Sequence, residues 1–218
     1  MCVNNRMTVV IPNYLREILI LCEEYEREYH ELEEMIKDHS QLSKDSIFPK
    51  LTTLVLHASN IKKLILQPNK KRKEEQWRTD FRNIRIQSIE QYYDVTRLIE
   101  IRNTKLRNSL EHYDERMDTF FSKLVSNRNT LIEDLHIERI IFNTTLPTRD
   151  FHNTKTTLLL KCFIISEMTY VNDGDELNLK KVYSEVIYLM ERTKIALNDP
   201  ILFEPSHSIT LRPENRLD

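Results

Sequence analysis

A chain of 218 residues with 40% apolar and 30% charged side chains can bury a sizeable core and is too apolar for general disorder. Its formal net charge of −2 excludes a global attraction to nucleic acid or anionic lipid, so any such binding needs a local patch. Its single glycine, Gly174, argues against Rossmann and P-loop phosphate sites, whose close backbone approaches need glycines, and in favour of long helices.

The first predicted helix runs from near Asn13 to Lys37. Leu15, Ile18, Leu19, Cys22, Tyr25, Tyr29, Leu32 and Ile36 recur at three- and four-residue steps, opposite a face dense in Glu and Arg. A second starts near Asp45, a plausible N-cap, with Pro49 in its first turn, where the missing N–H costs no helical bond. Its stripe is Phe48, Leu51, Val55, Ala58, Ile61 and Ile65, and Pro68 ends it. Residues 67–85 break the pattern: seven basic residues (Lys70, Lys71, Arg72, Lys73, Arg78, Arg82, Arg85) stand against three acidic ones, with Trp77 and Phe81 interleaved.

A third long helix is expected from about Ile89 to Val125, with Leu106, Leu110, Tyr113, Met117, Phe120 and Leu124 in a nearly seven-residue repeat that suits packing against another helix. After Asn129 the character changes. ERIIFN and LLLKCFIISEMTYV read as short strands, and Asn172-Asp173-Gly174-Asp175 is a hairpin-turn signal between TYV and ELNL. A closing helix spans roughly Leu179 to Leu197, followed by an irregular tail. The expected architecture is mainly α: one domain over residues 1–200, a bundle of long antiparallel helices with a small β-hairpin or three-stranded addition at about 136–178 and a C-terminal helix. Residues 201–218 form the tail.

Cys2, Cys22 and Cys162 are odd in number and lack metal-ligand spacing, so they read as free thiols in a reducing compartment. The N-terminal stretch is too polar for a signal peptide, and LLLKCFII is too short and too interrupted by Lys161 to span a membrane. A cytoplasmic location, with no membrane partner, is the expectation. A di-iron site needs two Glu-x-x-His pairs, and only Glu133-x-x-His136 fits. No zinc spacing and no serine or cysteine nucleophile motif is present, so no metal or cofactor is expected.

The most informative run is RNSLEHYDERMD, Arg107 to Asp118. Arg107, four intervening residues and His112, with polar Asn108 directly after the arginine, resembles the signature of the HEPN (higher eukaryotes and prokaryotes nucleotide-binding) superfamily. The extended string is similar to bacterial relatives of that superfamily. The resemblance covers about a dozen residues and implies a helical domain, RNA as partner, a homodimer whose paired motifs line one cleft, and a place in bacterial defence. It also implies a metal-independent endoribonuclease, in which His112 moves protons, Arg107 stabilises the pentavalent phosphorane and Asn108 orients histidine or phosphate. Those residue types suit the chemistry. Attack of a 2′-hydroxyl on phosphate without metal needs a group titrating near neutrality and a fixed cation matched to phosphate oxygens. Glu111 and Glu115 stand close enough to tune the histidine. The tyrosine two residues after the histidine that marks many HEPN toxins is absent, since Asp114 occupies that position.

Residues five apart on a straight helix diverge by about 140°. Either the helix breaks before Arg107 and lets the two side chains converge, or a second copy completes the site. A plainer reading is also open: Arg107–Glu111 and His112–Arg116 are i,i+4 pairs, as on a solvated helical face of a non-catalytic dimerisation or partner-binding module. Lys70, Lys71, Arg72, Lys73, Trp77, Arg78 and Arg82 are RNA-binding candidates, with cations for phosphates and aromatics for bases. Their simpler reading is a solvated loop whose two aromatics anchor it to the core.

Overall fold

The computed structural model describes residues 2–38, 42–66, 75–103, 105, 108, 113–126, 134–142 and 157–199. They form a mostly helical protein with a small four-stranded sheet and a C-terminal helix. The helices are α1 (Cys2–Lys37), α2 (Lys44–Ile65), α3 (Gln76–Glu90), the short α4 (Ile99–Arg102), α5 (Tyr113–Ser126) and α6 (Leu179–Leu197). The strands are β1 (Asp134–Ile141), β2 (Thr157–Ile164), β3 (Thr169–Asn172) and β4 (Asp175–Asn178). No described helix is long and apolar enough to cross a membrane.

Three helices share one core because their apolar residues keep the same rhythm. Ile11, Leu15, Ile18, Cys22, Tyr25, Tyr29 and Leu32 of α1 step alternately by four and three and are all buried. Ile47, Leu51, Leu54, Ala58, Ile61 and Ile65 do the same on α2, as do Leu179, Val182, Val186, Leu189, Thr193 and Ala196 on α6. A mean step of about 3.5 residues keeps a stripe facing a neighbour along the whole length of a helix, and α1 packs against both α2 and α6. Each large side chain so buried contributes roughly 1.5–3 kcal/mol. Polar fastenings lie at the rim. Lys50 of α2 donates to Glu28 and Glu31 of α1, both at 2.6 Å, and Tyr183 of α6 stacks on Tyr29 with ring centroids 4.3 Å apart.

The sheet has the order β1-β2-β3-β4, with β1 parallel to β2 and the other pairs antiparallel. A cross-strand row, Ile140, Phe163, Tyr170 and Leu177, runs across all four strands and faces the helical core. On the opposite face Cys162, Ile164 and Val171 make a second, smaller cluster, and α5 lies against β2. The expected hairpin is present. Asp173 (φ 46°) and Gly174 (φ 83°) link β3 to β4, and two positive φ values in a two-residue turn match the twist of the strands it joins. The closing helix also has the expected bounds, with Asn178 capping it through Lys181 N at 2.9 Å.

Several expectations are corrected. The first helix continues back through Pro12 to Cys2, because Ile11 prolongs the buried stripe by one more step. The N-cap of α2 is Ser43, not Asp45: its hydroxyl accepts from Ser46 N while Ser46 Oγ accepts from Ser43 N. Pro49 therefore falls in the second turn and does remove a helical bond. Residues 76–85 are helical, where the charge-rich pattern suggested irregular chain; Arg85, Ile86 and Ile89 bury one side of α3. The addition has four strands, not two or three, and begins at Asp134. Ile137 of β1 and Phe142 just beyond it are exposed. The single helix from Ile89 to Val125 does not form: α3 ends at Glu90, and a 3-10 turn (Val95–Arg97) and α4 intervene before Asn103. The 201–218 tail lies outside the described residues.

Candidate functional site

The interruption between α3 and Asn103 is built by side chains. Asp94 accepts from Thr96 N at 3.1 Å and from the Thr96 hydroxyl at 2.6 Å, which caps the 3-10 turn and turns the chain out of α3's path. One face of α6 then holds the segment along its length. Arg192 Nε donates to the Tyr92 carbonyl (3.1 Å), Thr193 shares a 2.6 Å hydrogen bond with the Tyr93 hydroxyl, and the Tyr188 hydroxyl accepts from Asp94 N (2.9 Å). Arg97 lies over the Tyr188 ring at 4.3 Å. Glu185 accepts from the backbone N–H groups of Glu100 and Ile101, each at 2.8 Å, and Lys181 pairs with Glu100 at 3.7 Å.

Lys181, Glu185, Tyr188 and Arg192 are spaced four, three and four residues apart, so they form a polar stripe beside the apolar one. Burial pushes the Glu185 carboxyl upward from its ordinary value, and the backbone donors it holds, Glu100, Ile101 and Ile99, partly offset this. Such a carboxylate satisfies helix N-terminal N–H groups that would otherwise be orphaned.

At the far end of this segment Lys62 of α2 donates to the Arg102 carbonyl, and Asn103 adopts an extended conformation. The Asn103 side chain works in two directions. Oδ1 accepts from Lys105 N at 3.1 Å, and Nδ2 donates to the Glu176 carbonyl of β4 at 3.2 Å. Lys105 and Asn108 are helical, so Asn103 stands as the cap where helix resumes, four residues before Arg107.

A cleft of about 660 Å³ opens here between the end of α4, the β3–β4 hairpin and the start of α6. Glu100, Glu167, Asp175 and Glu176 in its lining outnumber Lys105 and Lys181, so the cleft itself does not draw in a phosphate backbone. Among the described residues, no group of three or more His, Cys, Asp or Glu is arranged to hold a metal ion.

The expected site residues divide into two sets. Arg107, Glu111, His112 and Lys70, Lys71, Arg72 and Lys73 lie outside the described residues. Asn108 and Glu115 are helical and exposed. Trp77, Arg78 and Arg82 all sit on α3. Trp77 and Phe81 are 62% and 39% exposed, so they do not anchor this segment to the core. Of the stripe proposed to face another helix, Phe120 is buried and Met117 half-buried, with Phe121 edge-to-face on Phe120 at 5.4 Å.

Cys22 and Cys162 are free and buried, and burial pushes both thiols up to about 12, so neither of these two is a thiolate nucleophile at neutral pH. Sequence reasoning missed Asn103, Glu185, Tyr188 and Arg192. The available signal was the second, polar rhythm on the last helix. The chain matches no known protein family, and neither the curated proteins nor the solved structures contain a match to it.

Proposed function

We propose that this chain is a HEPN-like protein acting on RNA as a metal-independent endoribonuclease. In this reading its long helices form an antiparallel bundle and two copies complete one cleft. His112 transfers protons, Arg107 stabilises the charge on the phosphorane, and Asn108 orients the reacting groups, with Glu111 and Glu115 tuning the histidine. The observation that carries the reading is the RNSLEHYDERMD sequence itself, whose residue types supply what metal-free phosphodiester cleavage requires.

The described helix is interrupted before Asn103, ahead of both Arg107 and His112 in the chain. In this reading a second copy completes the site, with two arginines and two histidines meeting about a twofold axis. Purified protein incubated with RNA in EDTA tests the proposal: wild type cleaves, and His112→Ala and Arg107→Ala do not.

One observation favours a second reading, a non-catalytic helical interaction module. In the cleft beside Asn103 four carboxylates stand against two lysines, a poor setting for RNA. Folded wild-type protein that cleaves no RNA tested supports that alternative.

A further inference from the structure

Helix α3 presents two aromatic–arginine doublets, Trp77-Arg78 and Phe81-Arg82, one turn apart. Large exposed aromatics are costly in water, and here the indole is held in place rather than left loose. Trp77 Nε1 donates to Glu75 Oε2 at 2.9 Å, and the Arg78 guanidinium lies 5.2 Å from the ring centroid. Arg78 also pairs with Glu75 at 3.2 Å. Both partners of that pair are more than half exposed, where an ion pair contributes little and a phosphate oxygen competes well for the guanidinium.

We propose that this face of α3 binds single-stranded nucleic acid, with Trp77 and Phe81 each stacking on an unpaired base and Arg78 and Arg82 contacting the flanking phosphates. The inference rests on the RNA reading above and names the form of RNA recognised. Four helical residues rise about 6 Å, whereas bases stacked in a duplex follow every 3.4 Å or so along a strand. Two rings at the wider spacing suit bases that have parted from one another, and only unpaired bases offer free π-faces. The carboxylates Glu75 and Asp80 keep the local charge near balance, so stacking rather than charge supplies most of the affinity. With two phosphates contacted, a threefold rise in salt lowers affinity only about fivefold.

Trp77 is the sole tryptophan, so its fluorescence reports this face alone. The probe is a short 2′-O-methyl oligouridylate, which has no free 2′-hydroxyl and cannot be cleaved. Wild-type fluorescence is quenched to saturation by the single strand and is unaffected by a duplex of equal length. Trp77→Ala and Phe81→Ala, both at exposed positions, weaken binding of a dye-labelled copy by roughly 5- to 150-fold each. Unquenched tryptophan, or an affinity unchanged in both variants, overturns the proposal. So does a fall in solution mass on Trp77→Ala, which would place the aromatics between two copies of the chain. Quenching without cleavage of ordinary RNA leaves this proposal standing and removes the ribonuclease. Cleavage without quenching does the reverse.

Discussion

Asn103 Nδ2 donates to the Glu176 carbonyl at 3.2 Å, tying the point where helix resumes before Arg107 to the edge of the β-hairpin. The same side chain accepts from Lys105 N, so one residue joins the end of the α4 segment both to the hairpin and to the backbone that follows. Asn103→Ala removes an acceptor and a donor together and costs about 1–2 kcal/mol. Asn103→Asp keeps the cap and loses the tether, and falls between alanine and wild type. Urea denaturation of the three proteins measures the order, and an alanine variant as stable as wild type would contradict it.

Glu185 is the acceptor for the first turn of α4. Glu185→Ala leaves those N–H groups without their partner in a half-buried setting, at a cost of roughly 1–3 kcal/mol. The loss is local: amides of Glu100 and Ile101 exchange faster with solvent, while those of the α1 core keep their protection. Unchanged exchange at these two amides would show that the carboxylate does not hold the segment.

Gly174 has a φ of 83° and open space where a Cβ would point, so a substitution there meets backbone strain and no clash. Gly174→Ala costs about 1–2 kcal/mol through that strain alone. A melting temperature equal to wild type would mean that the turn can relax into another type.

Alkaline pH destabilises this protein earlier than its surface composition suggests. Burial raises the Cys22 and Cys162 thiols from 9.0 to about 12, and raises the Tyr25 and Tyr93 hydroxyls above their ordinary 10.0. Between the unfolded and folded values the unfolded chain releases these protons and the native state keeps them. Stability therefore falls as pH rises past about 9 for the thiols and about 10 for the phenols, by roughly 1.4 kcal/mol per pH unit for each group. Thermal melts from neutral to strongly alkaline pH test this, and a flat profile through pH 10 or so contradicts it.

What the sequence made legible follows physical rules that act locally. The hairpin was readable because Gly174 supplies the positive φ its turn needs, and the closing helix because Val182, Val186 and Met190 recur at helical steps. The interruption before Asn103 was not. The 89–125 stretch carries neither proline nor glycine, and the partners that break it come from Tyr188, Arg192 and Glu185, more than eighty residues onward. Locally only the Asp94–Thr96 cap favours the break among the described contacts, and the long-range polar stripe supplies the rest of the hold. The helical start at Gln76 was hidden for the opposite reason: its charges look like loop until Arg85, Ile86 and Ile89 bury one side.

The chemistry of the cleaved ends separates the proposed ribonuclease from a non-catalytic module. RNA incubated with purified protein in EDTA is predicted to yield fragments ending in 2′,3′-cyclic phosphate, because the proposed nucleophile is the adjacent 2′-hydroxyl and the proposed reaction uses no metal-bound water. His112→Ala and Arg107→Ala yield none. Intact RNA in the presence of folded wild-type protein, or cleavage that persists in both variants, would contradict the account.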